Sequence, residues 1–379
     1  MVDPYRFHRW KGQAEAVFVA WRDLKFAKGR FALMGTVIVL ITLLVGLLSG
    51  LTAGLGQQNV SAITGLPADR IAFQAPGDGQ SVSYSNSTVT EKQWQQWAEA
   101  PGVTGAEPLG ITTTKATAGD RSAGVSAFGV RPGSRLAPDS GRIDGRSAVL
   151  STKAAADLGV QAGDSITLAA QQLTVVAVRG DASFSHTPVV WTSLDAWQRI
   201  APPTGTGGGG PTATVVALTT TSGADLAAID RQAGTVTVSV DDSLSAIGSY
   251  TSENGSLQLM RGFLFAISAL VIGAFFTVWT IQRSGDVAVL KALGASTANL
   301  LKDALGQAVV LLTGGTLLGT GIAAALGALV AGSAVPFLLT PATVLLPAAV
   351  IVILGALGAA LSIRRITSVD PLTALGSAR

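Results

Sequence analysis

Three long stretches of this chain carry no charged residue, and they constrain its fold more than any other feature. They run from Phe31 to Ala68, from Gly262 to Gln282 and from Ala304 to Ile363. A helix needs about 20 apolar residues to cross the hydrocarbon core of a bilayer. The first two stretches therefore predict one membrane span each. The third predicts two spans joined by a hairpin, because the segment Pro336 to Pro341 interrupts it.

The composition agrees with a membrane protein. Only 13% of the 379 residues are charged, whereas soluble domains carry about 25%. About thirty residues precede the first uncharged stretch, which is longer than the roughly 7–15 residues of a signal-peptide core. We therefore expect the first span to be retained as an anchor. The chain has no cysteine, which excludes disulfides, thiolate metal sites and cysteine nucleophiles.

Lysine and arginine in the segments that flank the spans predict the orientation. Residues 1–30 contain seven basic and three acidic side chains, residues 283–303 three and two, and the tail from Arg364 three and one. Short basic flanks stay in the cytoplasm. We therefore expect a multi-pass protein of the cell membrane with both termini cytoplasmic and residues 57–256 outside. The basic balance reflects this topology, and no basic groove for nucleic acid is predicted.

The segment 57–256 is long enough for a folded domain. Short alternating runs predict strands, and capped periodic runs predict helices. The expected fold class is thus an α-helical membrane protein with four transmembrane helices and a mixed α/β extracytoplasmic domain between helices 1 and 2. The predicted strands include 165–168, 173–178 and 235–240, the predicted helices are 90–99, 151–158 and 222–232, and residues 204–211 form a glycine-rich linker.

The predicted order of segments follows from these patterns. Residues 1–30 form a cytoplasmic amphipathic helix with Trp21 and Arg22 on its two sides, or a simple positive flank that fixes topology. The remaining segments are a first span at 31–56, the extracytoplasmic domain at 57–256, a second span at 257–282, a cytoplasmic helix at 283–302, a third span at 303–332, a fourth span at 342–363 and a cytoplasmic tail at 364–379.

The cytoplasmic segment from Arg283 to Ser296 has an apolar side and a charged side. This pattern predicts a short surface helix that contacts a partner protein, and the alternative is an ordinary loop. The chain contains no phosphate-binding G-x-x-x-x-G-K-[ST] motif, so it is not expected to bind ATP itself. The residues that would contact the partner protein are Arg283, Asp286, Val289, Leu290, Lys291, Leu293 and Gly294, together with Trp21 and Arg22 near the N-terminus.

Three motifs carry a resemblance to a known family. They are the segment 283–296, the ending Asp370 to Leu375, and the run from Ala148 to Leu168 that is followed by Leu173 to Val178. Together they resemble the MacB/FtsX-like permeases of ABC transporters, with Asp286 where that family usually has glutamate. The resemblance implies a non-enzymatic transport subunit that works as a homodimer with two ABC ATPase subunits. ATP would be bound by the partner, and no cofactor would be intrinsic to this chain.

The second span, Met260 to Gln282, with Gly248 to Tyr250 before it, resembles the haem exporters within this family. Tyrosine, methionine and glutamate can each offer an atom to haem iron, and arginine can pair with a propionate. The same residue types are also common interface anchors and core filler. The candidate substrate residues are Tyr250, Glu253, Met260 and Arg261, with Ser49 on the first span, and the candidate iron ligands among them are Glu253 and Met260.

The expected function is ATP-driven efflux of an amphiphile, most simply haem, by mechanotransmission from the ATPase through the spans to the outer domain. Two alternatives remain open. One is a regulator that transmits force to a cell-wall hydrolase or receptor, and the other is an exporter of a lipopeptide or antibiotic. The two histidines, His8 and His186, fall on opposite sides of the membrane and are expected to be ordinary surface residues.

Overall fold

The computed structural model describes residues 28–201, 210–282, 285, 289, 291, 293–294, 296–330 and 335–367. Residues 1–27 of the predicted N-terminal helix, most of the glycine-rich linker and the C-terminal motif lie outside these ranges. The chain divides into two compact units. One, called the membrane unit, combines the chain up to Gly54 with the chain from Leu257 onward, and the other, called the outer domain, is Leu55–Ser256.

Helices dominate both ends of the chain, and strands dominate its middle. In chain order, the elements are α1 Lys28–Thr64, β1 Arg70–Gln74, β2 Val89–Thr90, α2 Glu91–Glu99, β3 Val103–Ala118, β4 Arg121–Val130, β5 Ser147–Leu150, α3 Thr152–Leu158, β6 Ser165–Leu168, β7 Gln171–Val178, β8 Ser183–Phe184, β9 Thr187–Ser193, α4 Leu194–Ile200, β10 Thr212–Ala213, β11 Val215–Thr220, α5 Leu226–Ala233, β12 Thr235–Ser239, α6 Val240–Ser243, α7 Tyr250–Gln282, α8 Thr297–Val330 and α9 Pro341–Thr367, with short 3₁₀ turns at Ser140–Arg142 and Leu244–Ala246.

Four of the described helices, α1, α7, α8 and α9, are long and apolar enough to cross a membrane. This confirms the predicted architecture of four spans with a mixed α/β domain between the first two. The helices extend beyond the uncharged cores, because backbone hydrogen bonding continues where side chains become polar. Helix α7 begins at Tyr250 rather than at the predicted Leu257, and α1 continues to Thr64, inside the outer domain.

Glycines allow α1 and α8 to approach closely. A Cβ atom on Gly319 would lie 2.7 Å from the Val39 carbonyl oxygen, and one on Gly315 would lie 2.8 Å from Ile38 Cγ2. On the other helix, a Cβ on Gly46 would lie 2.9 Å from Ala323 Cβ. Lipid tails are as apolar as leucine, so helix association in a bilayer depends on such tight packing rather than on hydrophobicity. Gly315 and Gly319, which form a GxxxG motif, are therefore a contact surface for α1.

The segment before α9 packs on α1 in the same way. The Phe337 ring occupies the space that a side chain on Gly50 or Gly327 would need, with hypothetical Cβ distances of 2.3 and 2.2 Å. The backbone N–H of Leu338 donates to the Gly50 carbonyl at 3.0 Å. This contact satisfies a polar group of non-helical backbone inside the membrane unit, where an unpaired N–H is costly.

The outer domain is built on one large mixed sheet, and β10 pairs with β2 in a separate two-stranded sheet. The strands of the large sheet lie in the order β12, β1, β11, β3, β4, β9, β5, β7 and β6, and β8 pairs with β9. Strand β6 also pairs with β3, so the six strands from β3 to β6 in this order close into a ring. Most neighbours are antiparallel, but β4 with β9 and β5 with β7 are parallel. A ring leaves fewer unpaired strand edges than an open sheet does.

Helices cover the sheet through aromatic and aliphatic side chains. Helix α2 is capped at Thr90 and buries Trp94 and Trp97 on one side, as the sequence predicted. The predicted start of the third outer-domain helix at Ser222 is wrong. That helix, α5, starts at Leu226, because the Asp225 carboxylate accepts a hydrogen bond from the Ala228 N–H at 3.0 Å and caps it there.

A cross-strand pair of glycines receives the indole of Trp197. Gly110 on β3 and Gly129 on β4 face each other in register. A Cβ atom on Gly110 would lie 2.3 Å from Trp197 Cδ2, and one on Gly129 would lie 2.4 Å from Trp197 Cβ. The two missing side chains therefore create the flat surface on which α4 packs.

We predict that Gly129→Ala destabilises the outer domain by about 2 kcal/mol, because the new methyl group overpacks Trp197. Gly124→Ala on the same strand is the matched control, since its nearest neighbour would be Thr187 Cγ2 at 3.9 Å. Urea unfolding of the full-length protein, followed by tryptophan fluorescence, measures both variants. Equal midpoints for the two would contradict the packing described.

A second prediction concerns the membrane unit. Gly319→Ala should weaken the α1–α8 contact by about 1–3 kcal/mol through overpacking, whereas Gly321→Ala, with no atom within 4 Å of its added Cβ, should not. Unfolding in mixed micelles of dodecyl maltoside and SDS compares the two. The packing of α8 on α1 is refuted if Gly321→Ala proves the more damaging.

Candidate functional site

The acidic side chain of Glu253 lies in the first turn of α7 and is held by two donors. Its Oε2 atom accepts a hydrogen bond from Asn59 Nδ2 at 2.9 Å and pairs with His186 Nε2 at 2.7 Å. Asn59 Nδ2 is also 3.4 Å from Ser249 Oγ. All of these residues belong to the outer domain. We call Asn59, His186 and Glu253 the carboxylate cluster.

The cluster joins three segments that are distant in sequence. Asn59 lies near the end of α1 and is 2% exposed, whereas the side chains of His186 and Glu253 are 34% and 40% exposed. A buried donor therefore orients the carboxylate from one side, and a half-buried imidazole does so from the other. Both donors use the same oxygen, and the structure shows no hydrogen bond from a described residue to Glu253 Oε1.

A two-residue hairpin loop between β8 and β9 places His186. Ser185 and His186 have φ values of 49° and 64°, as the central positions of a type I′ hairpin turn require. Their backbone N–H groups donate to the carbonyls of Asn59 and Gln58 at 2.9 and 3.1 Å. Backbone hydrogen bonds thus hold the loop against the last turns of α1, and the imidazole lies beside the start of α7.

Aromatic packing anchors the base of this hairpin. The Phe184 ring makes edge-to-face contacts with Tyr84 and Phe128, with ring centres 5.4 and 5.8 Å apart. Burial raises the pKa of the Tyr84 phenol well above its ordinary value, so the hydroxyl stays protonated, and it lies 2.9 Å from Ser243 Oγ. The Ser61 hydroxyl also holds the hairpin, because it accepts a hydrogen bond from the Ser183 N–H at 2.9 Å. A rigid base makes the position of His186 well defined.

Of the other predicted substrate residues, Tyr250 lies in the outer domain. It is the first residue of α7 and is half-buried against the aliphatic and aromatic core that contains Ile63 and Phe73. Its position three residues before Glu253 places the two side chains on neighbouring turns of the same helix side.

The remaining predicted substrate residues lie in the membrane unit. Arg261 Nη2 is 3.4 Å from Thr52 Oγ1, so the guanidinium reaches a buried hydroxyl of α1. Met260 is 50% exposed. Ser49 is buried, and its hydroxyl has no hydrogen-bond partner among the described residues. The structure thus brings Arg261 to α1 one turn of helix from Ser49.

The segment from Arg283 to Ser296 is described only in part. Val289 and Lys291 are helical, and the N–H of Leu293 donates to the Val289 carbonyl at 3.0 Å. Gly294 has a φ of 93°, a conformation that favours glycine at a helix end. The side chains of Val289 and Leu293 are 58% and 80% exposed, so two apolar groups four residues apart face outward. Arg283, Asp286, Leu290, Trp21 and Arg22 lie outside the described residues.

Sequence reasoning missed two members of the carboxylate cluster. The sequence predicts an ordinary surface position for His186, and no local pattern marks Asn59. One local signal was available, since Ser183-Phe-Ser-His-Thr-Pro188 places two polar residues between short strands, as a hairpin does. The pairing with Glu253 was not readable, because it spans 67 residues. Within the described ranges, no three His, Cys, Asp or Glu side chains group together as a metal site.

Comparison with known proteins identifies the family that has this architecture. Residues 31–236 match the MacB-like periplasmic core domain, and residues 259–371 match the FtsX-like permease C-terminal domain. The chain belongs to the MacB/FtsX-like permeases of ABC transporters. Two independent matches in the expected order confirm the resemblance seen in the motifs, and they cover both the outer domain and the last three spans.

Several relatives of this permease align over nearly their whole length. A Staphylococcus haemolyticus permease named for hemin transport, HrtB, is 26% identical, with 94% of this chain and 99% of the relative covered. A Staphylococcus epidermidis protein of the same name is 24% identical over the same shares. An uncharacterised ABC transporter permease of Mycobacterium bovis is 25% identical, with 95% and 99% covered.

Two solved structures resemble about half of this chain. The periplasmic region of MacB from Actinobacillus actinomycetemcomitans is 10% identical with a TM-score of 0.35, over 48% of this chain and 92% of that one. The extracellular domain of YknZ from Gram-positive bacteria is 14% identical with a TM-score of 0.33, over 45% and 99%.

Proposed function

We propose that this permease is the membrane subunit of an ABC exporter that removes haem from the membrane. It works as a homodimer in the cell membrane with two copies of a separate ATPase, and both of its termini are cytoplasmic. Nucleotide closure in the ATPase moves the cytoplasmic segment and the N-terminal helix. The motion passes along the spans to the outer domain by mechanotransmission.

The observation that carries the haem proposal is the carboxylate cluster. Glu253 is partly exposed, and one of its oxygens accepts no hydrogen bond from the described residues while the other is held by two donors. An anionic oxygen of this kind can bind ferric iron. In the membrane unit, Met260 is a second iron-ligand type and Arg261 can pair with a propionate, so both remain candidate substrate residues. The relatives named for hemin transport support the same substrate.

The character of α7 supports an amphiphilic rather than an ionic cargo. After Met260, its exposed side continues with Phe263, Ile267 and Leu270, which are 60%, 58% and 74% exposed. The buried polar groups of the described spans are mostly serine and threonine hydroxyls, such as those of Thr42 and Ser268. Such spans suit a porphyrin that enters sideways from the outer leaflet better than they suit an ion.

Coupling to the ATPase is assigned to the exposed apolar pair Val289 and Leu293 in the cytoplasmic segment. Apolar side chains at this spacing form one side of a helix and suit a groove in a partner protein. Gly294 ends the helix and allows the turn toward α8, which begins at Thr297.

Haem binding is tested by titrating the full-length permease in lipid nanodiscs with hemin. We expect a saturable shift of the Soret band in the wild type and at least tenfold weaker binding in Glu253→Gln. Asp241→Asn is the matched control, because Asp241 is an exposed carboxylate of the same domain, and it should bind as the wild type does. A wild type without a Soret shift, or a Glu253→Gln variant that binds normally, would remove the haem proposal and leave a lipopeptide exporter or a force-transmitting regulator.

Coupling is tested with Leu293→Asp. A charge in an apolar contact should reduce stimulation of the ATPase by the permease about tenfold, as the loss of an interface hot spot does. Asn299→Asp is the control, since it adds a negative charge at an exposed position close by. ATP hydrolysis by the reconstituted complex is the measurement. Normal stimulation with Leu293→Asp refutes this role of the segment.

A further inference from the structure

We propose that His186 and Asn59 are positioning residues that present Glu253 to haem iron through a single oxygen. This inference rests on the proposed function, and it assigns a role to an outer-domain hairpin that lies outside the spans. Neither residue would contact the iron. They would act through the carboxylate, as the hydrogen-bonded partners of metal-ligating side chains do.

The geometry of the carboxylate supports this division of roles. Both donors reach Oε2, from Asn59 Nδ2 at 2.9 Å and from His186 Nε2 at 2.7 Å. Two hydrogen bonds on one oxygen fix the plane of the carboxyl group and leave Oε1 available. A carboxylate held in this way can bind iron through Oε1. Binding through both oxygens is disfavoured, because Oε2 already accepts two hydrogen bonds.

The contact also determines which ring nitrogen of His186 is engaged. A carboxylate oxygen only accepts hydrogen bonds, so Nε2 must carry the proton and donate it. An imidazole nitrogen that bears a proton and points at Glu253 is not a lone-pair donor for iron. The arrangement therefore selects oxygen ligation by Glu253 over nitrogen ligation by Nε2 of His186.

The hairpin backbone gives an independent reason to assign a role to this side chain. Both loop residues have positive φ values, where asparagine and glycine are the preferred pair. Non-glycine residues adopt the left-handed region only at an energetic cost. The left-handed backbone conformation is thus unfavourable for Ser185 and for His186. Residues in such conformations concentrate at functional sites, and in this chain the strained loop delivers the imidazole to Glu253.

The hairpin can tolerate changes in the imidazole because its attachment does not depend on it. The loop is fastened by backbone N–H groups to the carbonyls of Gln58 and Asn59 and by the Phe184 ring to Tyr84 and Phe128. Substitution of His186 therefore removes one donor to Glu253 and leaves the other contacts in place. This separation makes the proposal testable without loss of the fold.

The experiment compares His186→Leu and His186→Gln in the full-length permease in nanodiscs. Hemin and iron-free protoporphyrin IX are titrated in parallel. We expect His186→Leu to weaken hemin binding by about 10–100-fold, the usual effect of losing a partner of a metal ligand, and to leave protoporphyrin binding unchanged. His186→Gln should restore most of the hemin affinity, because the glutamine Nε2 can donate from nearly the same position.

The outcomes separate the two proposals. If Glu253→Gln weakens hemin binding but His186→Leu binds hemin with wild-type affinity and Soret position, the positioning role is wrong and the proposed function stands. If His186→Leu weakens hemin and protoporphyrin equally, or if His186→Gln gives no rescue, the effect is structural and the positioning role is again wrong. If the wild type binds no hemin, both proposals fail together.

Discussion

The membrane interior offers no hydrogen-bonding partner, and most of this structure follows from that constraint. Backbone groups are satisfied within four long helices, and charged side chains are absent from the cores of the spans. Ionisable residues can appear only where helices leave the apolar region. Glu253 is such a residue, because it lies in the first turn of α7, where the helix belongs to the outer domain. There it meets two donors of the outer domain, the Asn59 amide and the His186 imidazole.

Close packing in both units depends on the absence of side chains at particular positions. In the membrane unit, Gly315 and Gly319 let α8 approach α1, and in the outer domain Gly110 and Gly129 make room for Trp197. Such contacts define distances more narrowly than leucine-rich surfaces do, because a single added methyl group cannot be accommodated. The proposed transmission of motion along the helices would require contacts of this stiffness.

The sequence predicted the elements of the fold far better than it predicted the site. Span number, the α/β character of the outer domain and the helix with Trp94 and Trp97 follow from local charge and periodicity, which are short-range signals. The order of strands and the closure of β6 on β3 depend on pairings between distant segments and could not be read locally. Glu253 was identifiable because it precedes a span. Its partners were not, since Asn59 and His186 come from a helix end and a hairpin far away in the chain.

The central claim is that Glu253 offers one oxygen to haem iron while His186 and Asn59 hold the other. Electron paramagnetic resonance of the ferric haem complex, in wild-type permease in nanodiscs, tests this most directly, because the spin state reports the axial ligand. We predict a high-spin ferric signal, as expected for an oxygen ligand, that changes in Glu253→Gln. A low-spin signal from nitrogen ligation that disappears in His186→Leu would show instead that the imidazole binds the iron, and would contradict the claim.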